Sequence, residues 1–315
     1  MSFRPSSPRR SLHSRTPKVE RGAHSTPPAL AVFAFGRPGY AYAAANLALS
    51  TKHHTPQAKV HLYIARDLLT KMPDFHLRKF DSVTVLPEDS YTTGQNVDPG
   101  KLKCHLYEHL SEGPVLYVDA DTLTLSDVQP LWDELTEGAR WFVTDVADMG
   151  PPSGEVRYTP WASPKAIAEK IGNDGCTVYG INTSWMFIDK RPGTELFFNR
   201  VAEHHDGQTW KRSELDHQWG KSIPDELIYG TTCSELGINP SGPRPMHFGH
   251  KYEVPVSELS KRFVFQSLYG NGRGKPLVNR RYLDLYDPYL KAWYQQAGGL
   301  HMFKLNTVLR DKYLG

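Results

Sequence analysis

From Ala29 onward the chain alternates short apolar runs with stretches in which apolar residues recur at helical spacing. ALAVFAF (29–35) is a continuous apolar run closed by Gly36, Pro38 and Gly39. That is the pattern of a strand buried on both faces and followed by a turn. GYAYAAANLALSTKHH (39–54) carries Ala and Leu at helical spacing and stops before Pro56. AKVHLYIA (58–65) and SVTVLPE (82–88) read as two further strands, KCHLYEHL (103–110) as a helix, and GPVLYVDADTLTL (113–125) as a strand that runs into acidic residues. This alternation predicts an α/β fold with a mostly parallel sheet, whose ligand-binding edge lies at the carboxyl ends of the strands.

The second half is less regular. ARWFVTDVA (139–147) predicts another strand and the Pro/Gly-rich stretch 149–164 a loop; either that loop or the chain after 254 is expected to order over a bound ligand. TVYGINTSWMFIDK (177–190) reads as a strand pair or one bent strand, and GTELFFNRVAEHH (193–205) as an amphipathic helix ending in two surface histidines. RSELDHQWGKSI (212–223) opens with a Ser-x-x-Asp start signal and predicts a second helix. MHFGHKYE (246–253) reads as a loop. Residues 253–315 read as a helical extension packed on the domain, interrupted by GNGRGKP (270–276). The domain expectation is therefore a tail over 1–28, a catalytic domain over 29–252 and the extension.

Composition narrows the class. At 315 residues with 39% hydrophobic and 23% charged, the chain can bury a real core. No apolar run approaches the roughly 18 residues of a membrane helix, and the start lacks the apolar stretch of a secretory signal; a cytoplasmic protein is expected. The cysteines Cys104, Cys176 and Cys233 stand too far apart for a CxxC site and read as buried thiols. The net charge of +3 is unevenly spread: residues 1–28 hold six basic residues against Glu20 alone, leaving 31 basic and 33 acidic residues elsewhere. A Ser/Pro/Arg-rich segment of that kind is expected to be disordered, either a solvated linker or an arm that contacts a polyanion.

The chemistry concentrates at Asp119 and Asp121. In an extended strand residues i and i+2 share a face, so both carboxylates are expected to converge. Two oxygen ligands beside an apolar strand suit Mn²⁺ or Mg²⁺, which bridges the phosphates of a nucleoside diphosphate and stabilises it as a leaving group. A phosphatase of the haloacid-dehalogenase type also uses strand-DxD, but Leu123 stands where that motif needs Thr or Val, and three strands precede it here.

Several spaced pieces resemble the family-8 glycosyltransferases, the glycogenin-like group with the GT-A fold. GYAYAAANLALS resembles the family's first helix, KCHLYEHLSEGPVLYVDADTLTL its lysine-to-DxD block, GINTSWMFID its Asn-Ser/Thr strand, LDHQ its Asp-Gln helix start and MHFGH its metal-ligand loop. The resemblance implies that Tyr40 stacks on the base, that Lys103 and Lys251 meet phosphate, and that Asp119, Asp121 and His247 hold the metal. It also implies that Asn182, Thr183, Asp216 and Gln218 meet the donor sugar. His250 rivals His247, because Gly249 falls one place early in the family's pattern. The implied activity is metal-dependent transfer of a hexose from a nucleoside-diphosphate sugar, most simply a UDP-sugar, with retention of configuration, to an acceptor that is a glycan, a protein or a nucleic acid.

The residues alone leave alternatives open. Tyr40 equally suits packing, and Asp216 helix capping. An inverting enzyme acting on a polyanion such as modified DNA would use Asp145 or Asp148 as general base. A non-catalytic nucleotide- or nucleic-acid-binding protein on the same scaffold is the remaining class. Trp161, Trp185, Trp210 and Trp219 read as core or acceptor-pocket residues.

Overall fold

The computed structural model describes residues 26–36, 38–138, 140–148, 161–215, 222–248, 256–267, 270–272 and 275–277. In chain order its principal elements are β1 (Ala29–Ala34), α1 (Pro38–His54), β2 (Lys59–Ala65), β3 (Ser82–Leu86), α2 (Pro99–Cys104), β4 (Gly113–Val118), β5 (Thr122–Thr124) and α3 (Gln129–Glu137). There follow β6 (Phe142–Asp148), α4 (Pro164–Ile171), β7 (Tyr179–Lys190), α5 (Glu195–Asp206), α6 (Asp225–Leu236), β8 (Met246–Phe248), α7 (Val256–Arg262) and β9 (Phe265–Ser267).

Six strands form the central sheet in the order β3-β2-β1-β4-β7-β6. The pairs β1–β2, β2–β3 and β1–β4 are parallel, while β7 runs antiparallel to both β4 and β6. Five strands thus point one way and β7 the other, as the alternation of strand and helix predicts. The fully apolar faces of β1, β2 and β4 are covered: Leu30, Val32, Leu62, Ile64, Leu116 and Val118 have no exposed surface. Among the helices, α1 meets this layer with Ala41, Ala44, Ala45 and Ala48, whose small side chains allow close approach. An aromatic cluster of Phe142, Phe197, Phe198 and Tyr229 fills the other end, with ring centroids 5.0–6.5 Å apart. All three cysteines are buried thiols.

A second, three-stranded sheet has the order β8-β9-β5. It joins the segment after the acidic pair to strands more than a hundred residues away: Thr122 pairs with Ser267, and Ser267 with Phe248. Buried hydroxyls tie α1 to the same strand. Thr51 Oγ1 and Thr124 Oγ1 are 2.7 Å apart, and Thr124 N–H donates to Ser50 Oγ at 3.1 Å.

Several elements differ from expectation. The helix read over 103–110 is broken at His105, whose φ of −102° and ψ of 5° separate α2 from a single turn at Leu106–His109. Asp98 caps α2 by accepting from Lys101 N–H at 3.1 Å, with Pro99 in the first turn. In the described part of the helix read over 212–223, only a 3₁₀ turn forms, at Arg212–Glu214, and Leu215 is extended. The helix starts instead at Asp225, where Pro224 fixes the entering backbone. α4 was not expected, although Ser163 caps it, Pro164 opens it and Gly172 closes it in a left-handed conformation. Met246–Phe248 is a strand rather than loop. Of the described residues within 253–315, only α7 is helical; β9 and a hairpin of Gly270–Gly272 with Lys275–Leu277 make up the rest. The lid expected over 149–164 lies outside the described residues up to 160, and so do residues 1–25 of the basic tail. Among the described residues no helix is long and apolar enough to cross a membrane.

Candidate functional site

The site lies at the carboxyl edge of the parallel strands. β4 ends at Val118, and Asp119 follows it, its N–H donating to the carbonyl of Ser184 on β7 at 2.9 Å. Because β7 is antiparallel and longer than β4, its first residues project past that edge and carry Asn182 and Thr183 there. α6 packs on the same stretch. A Cβ on Gly230 would sit 2.6 Å from the carbonyl of Tyr179, so glycine is required for that approach. The approach sets the start of the helix, Asp225, against Thr183.

The two aspartates do not share a strand face. Ala120 and Asp121 form a turn between β4 and β5, and it is this turn that holds the carboxylates near one another. Asp119 accepts from the Tyr117 hydroxyl and pairs with Lys103 Nζ at 2.9 Å. Lys103 Nζ also lies 3.4 Å from Thr183 Oγ1 and 3.6 Å from Asp225 Oδ2, and the Thr183 hydroxyl donates to Asp225 Oδ2. The Lys103 carbonyl in turn accepts from the Tyr229 hydroxyl at 2.9 Å, which anchors α2 to α6. Burial alone would lower the Lys103 ammonium, but the charges of Asp119 and Asp225 outweigh it and hold its pKa well above the usual range. Tyr117 is held up by burial and then by the charge of Asp119, so it stays a phenol and donates.

Asp121 is pushed up to about 7, first by burial and then by the negative charge of Asp119. Two carboxylates that cannot comfortably ionise together make a place where a cation is stabilising. His247 lies on β8, in register with Gln266 of β9, which is in register with Leu123 of β5. Gln266 Nε2 donates to the carbonyls of His247 and Ser267 at 3.0 and 3.2 Å, so its Oε1, 2.7 Å from His247 Nδ1, accepts. With Nδ1 so engaged, the neutral ring is the tautomer that carries its proton there, the one through whose Nε2 an imidazole ligates a metal. On these two counts the residues suit a divalent ion. In the chain as it stands the three are not yet a closed ligand set. Among the described residues, three imidazole or carboxylate donors within 4.8 Å of one another occur only at His105, His205 and Asp206.

The other expected residues divide. Tyr40 is half-buried at the start of α1, packed against the core. Asn182 Oδ1 accepts from Ser184 N–H at 2.9 Å, a local turn that fixes the strand end. Asp216, Gln218, Trp219, His250 and Lys251 lie outside the described residues. Asp145 sits at a bulge in β6 opposite Asn182, only 5% exposed and 3.8 Å from Arg244 Nε. That burial sets it poorly for proton exchange with an acceptor. Trp185 and Trp210 are core residues, and Trp161 donates to Glu226 Oε2 at 2.7 Å. His204, expected at the surface, is 5% exposed and 2.7 Å from Glu235.

Asp225 and Glu226 were missed. Their only signal is Pro-Asp-Glu at a helix start, which is common to many helices. Glu226 is pushed up to about 7, by burial and then by Asp225. An acid whose folded pKa is raised binds more protons folded than unfolded. Its stability contribution is therefore present below its ordinary range, near 4.5, and is lost as pH rises through about 7. Glu226→Gln keeps an acceptor for Trp161 and removes that loss. Discounted for remaining solvent contact, it is expected to stabilise the chain by about 1–2 kcal/mol at pH 8 and by nothing measurable at pH 4. Urea unfolding at the two pH values checks this.

No protein-family model matches the chain, and no curated protein matches it in sequence. Solved structures do match in fold. The apo structure of the bifunctional glycosyltransferase WbbM superposes with a TM-score of 0.53 at 12% identity, over 91% of this chain and 52% of that one. The chain has a glycosyltransferase fold. It spans about half the length of WbbM. The galactosyltransferase LgtC, solved with donor and acceptor sugar analogues, aligns at 16% identity and TM-score 0.47, over 82% of this chain and 95% of that one. The glycosyltransferase GlyE of Streptococcus pneumoniae TIGR4 aligns at 13% identity and TM-score 0.47, over 86% and 64%. In this glycosyltransferase fold, the sheet edge that carries Asp119, Asn182 and Thr183 is the edge that the alternation of strand and helix predicts for ligand binding.

Proposed function

We propose that this chain is a metal-dependent glycosyltransferase that moves a hexose from a nucleoside-diphosphate sugar, most simply a UDP-sugar, to an acceptor with retention of configuration. The observation that carries the reading is the Asp119–Asp121 pair at the carboxyl edge of the sheet, with Asp121 pushed up to about 7 beside its neighbour. A divalent ion such as Mn²⁺ or Mg²⁺ held by Asp119, Asp121 and His247 supplies the positive charge that a departing diphosphate needs.

The chain's own residues do the rest. Lys103 is a permanently charged ammonium within 3.6 Å of two carboxylates, so it neutralises the site and sets the position of Asp119. Thr183 and Asp225 form a hydrogen-bonded pair beside it. In this reading Asp225 takes the helix-start role that the LDHQ resemblance assigns to Asp216, and it offers negative charge to the developing positive charge on the anomeric carbon. Asp216, Gln218 and Lys251 stay in the proposal on the resemblance alone, and Tyr40 as the base-stacking residue. Retention is supported by Asp145, whose burial and Arg244 neighbour leave it poorly set as an opposite-face base. The acceptor and the partner of the basic tail are left to experiment.

The test is to incubate the full chain with a panel of sugar nucleotides and Mn²⁺ and to follow release of the nucleoside diphosphate, with NMR of the freshly formed product. The α configuration of the donor is expected in the product. Asp225→Asn is expected to lower turnover by about a hundredfold, the scale of about 2.7 kcal/mol lost from one charged partner. A β product from an α donor would contradict retention and return the burden to an acceptor-side carboxylate.

A further inference from the structure

A second group of donor atoms lies away from the acidic pair. His105, at the break after α2, and His205 and Asp206, in the last turn of α5, bring an imidazole, an imidazole and a carboxylate within 4.8 Å of one another. His105 Nε2 and His205 Nδ1 each lie 3.0 Å from the same oxygen, Asp206 Oδ1. The two rings meet edge to face with centroids 6.0 Å apart. Both imidazoles are largely covered, at 15% and 13% exposure, whereas Asp206 faces solvent at 56%.

Each ring nitrogen on the far side meets its own carboxylate. His105 Nδ1 is 3.1 Å from Glu108 Oε1, and His205 Nε2 is 3.9 Å from Asp98 Oδ2. At hydrogen-bond distance, as Glu108 is from His105, an outer carboxylate fixes the tautomer of a ligating histidine and raises its basicity, whereas Asp98 is near enough to His205 only to act through its charge. His205 and Asp206 also line a cavity of about 490 Å³, shared with Lys101, Trp210 and Lys211, which gives an ion a route from solvent.

From this convergence we propose that His105, His205 and Asp206 form a zinc site, with a water or an exogenous ligand as fourth donor. Two imidazoles and one carboxylate are a donor set that Zn²⁺ takes in preference to Mn²⁺ or Mg²⁺. Tetrahedral zinc spaces its donors about 3.3 Å apart. The two nitrogen-to-oxygen separations of 3.0 Å lie within a few tenths of an ångström of that spacing, and the two ring nitrogens lie within 4.8 Å of each other. The ion would tie the end of α5 to the segment that follows Lys103, and so hold the Lys103 helix in place from its far side. The assignment does not depend on the transferase reading.

The experiment uses the full chain, stripped of metal and titrated with Zn²⁺ by calorimetry, with Co²⁺ as a spectroscopic probe. One zinc is expected to bind Asp121→Asn as tightly as wild type, with visible Co²⁺ d–d bands. His105→Gln and His205→Gln are each expected to weaken zinc binding at least tenfold and to abolish the bands. X-ray absorption on the wild-type zinc complex, which does not depend on any variant folding, is expected to show two imidazole ligands. Zinc affinity unchanged in both histidine variants, zinc lost in Asp121→Asn, or a zinc shell without imidazole would each overturn the proposal.

Discussion

Asp121→Asn is expected to lower sugar-nucleotide turnover by about a thousandfold or more and to leave the fold intact. The size follows from losing about 4 kcal/mol of charge stabilisation on the diphosphate leaving group. The intact fold follows from the same carboxylate's environment. Burial and Asp119 already push Asp121 up to about 7, so the ion-free protein holds it partly protonated, and an uncharged amide of the same shape relieves repulsion. Thermal unfolding without metal is therefore expected at or slightly above the wild-type temperature, while the stabilisation that Mn²⁺ gives the wild type disappears. A variant that unfolds earlier without metal, or one that keeps its turnover, would mean that the pair is structural.

Lys103→Met is expected to have the largest effect on stability. It removes the ammonium that lies 2.9 Å from Asp119 and 3.6 Å from Asp225, and it leaves both carboxylates largely buried beside Asp121. Breaking a buried ion pair from one side costs about 3–5 kcal/mol; with 16–22% of these side chains still exposed, about 2–4 kcal/mol is expected here. Mn²⁺ is expected to restore part of that loss, because a divalent ion at Asp119 and Asp121 replaces the missing charge. Denaturant titration of the variant with and without Mn²⁺ checks both statements. A loss below about 0.5 kcal/mol would show that the network is solvated like a surface pair.

Much of the sheet was legible because its strands are buried. β1, β2, β4 and β7 appear as apolar runs, and their order along the chain, interleaved with helices, already implies a parallel sheet. Lys103, Asp119 and Thr183, which the family resemblance places at one site, lie together in the structure. Two things were hidden. α6 is buried on every side from Leu227 to Ser234, so it has no polar face to produce helical periodicity, and the Ser-x-x-Asp signal at Ser213 places the expected helix thirteen residues too early. Asp225 was lost with it. The geometry of the acidic pair also differs from the strand expectation. Strand alternation places i and i+2 on one face only if the strand continues, whereas here β4 ends at Val118 and β5 begins at Thr122 to join the second sheet. That sheet depends on pairing between Leu123 and Gln266, a separation that local pattern does not report. α4 is different. Its Ser163 cap, Pro164 and Gly172 are all helix signals in the sequence, but they stand beside a stretch rich in loop residues that masks them.

Calorimetric titration of the full chain with UDP, in Mn²⁺ and again in EDTA, tests the central claim most directly, because it asks whether the carboxylate pair and a nucleoside diphosphate share one site. Binding in Mn²⁺ is expected to weaken at least a hundredfold in EDTA, and Asp121→Asn in Mn²⁺ is expected to bind as weakly as wild type in EDTA. Binding of equal strength with and without metal, or no binding of UDP, GDP, ADP or CDP under either condition, would contradict the account.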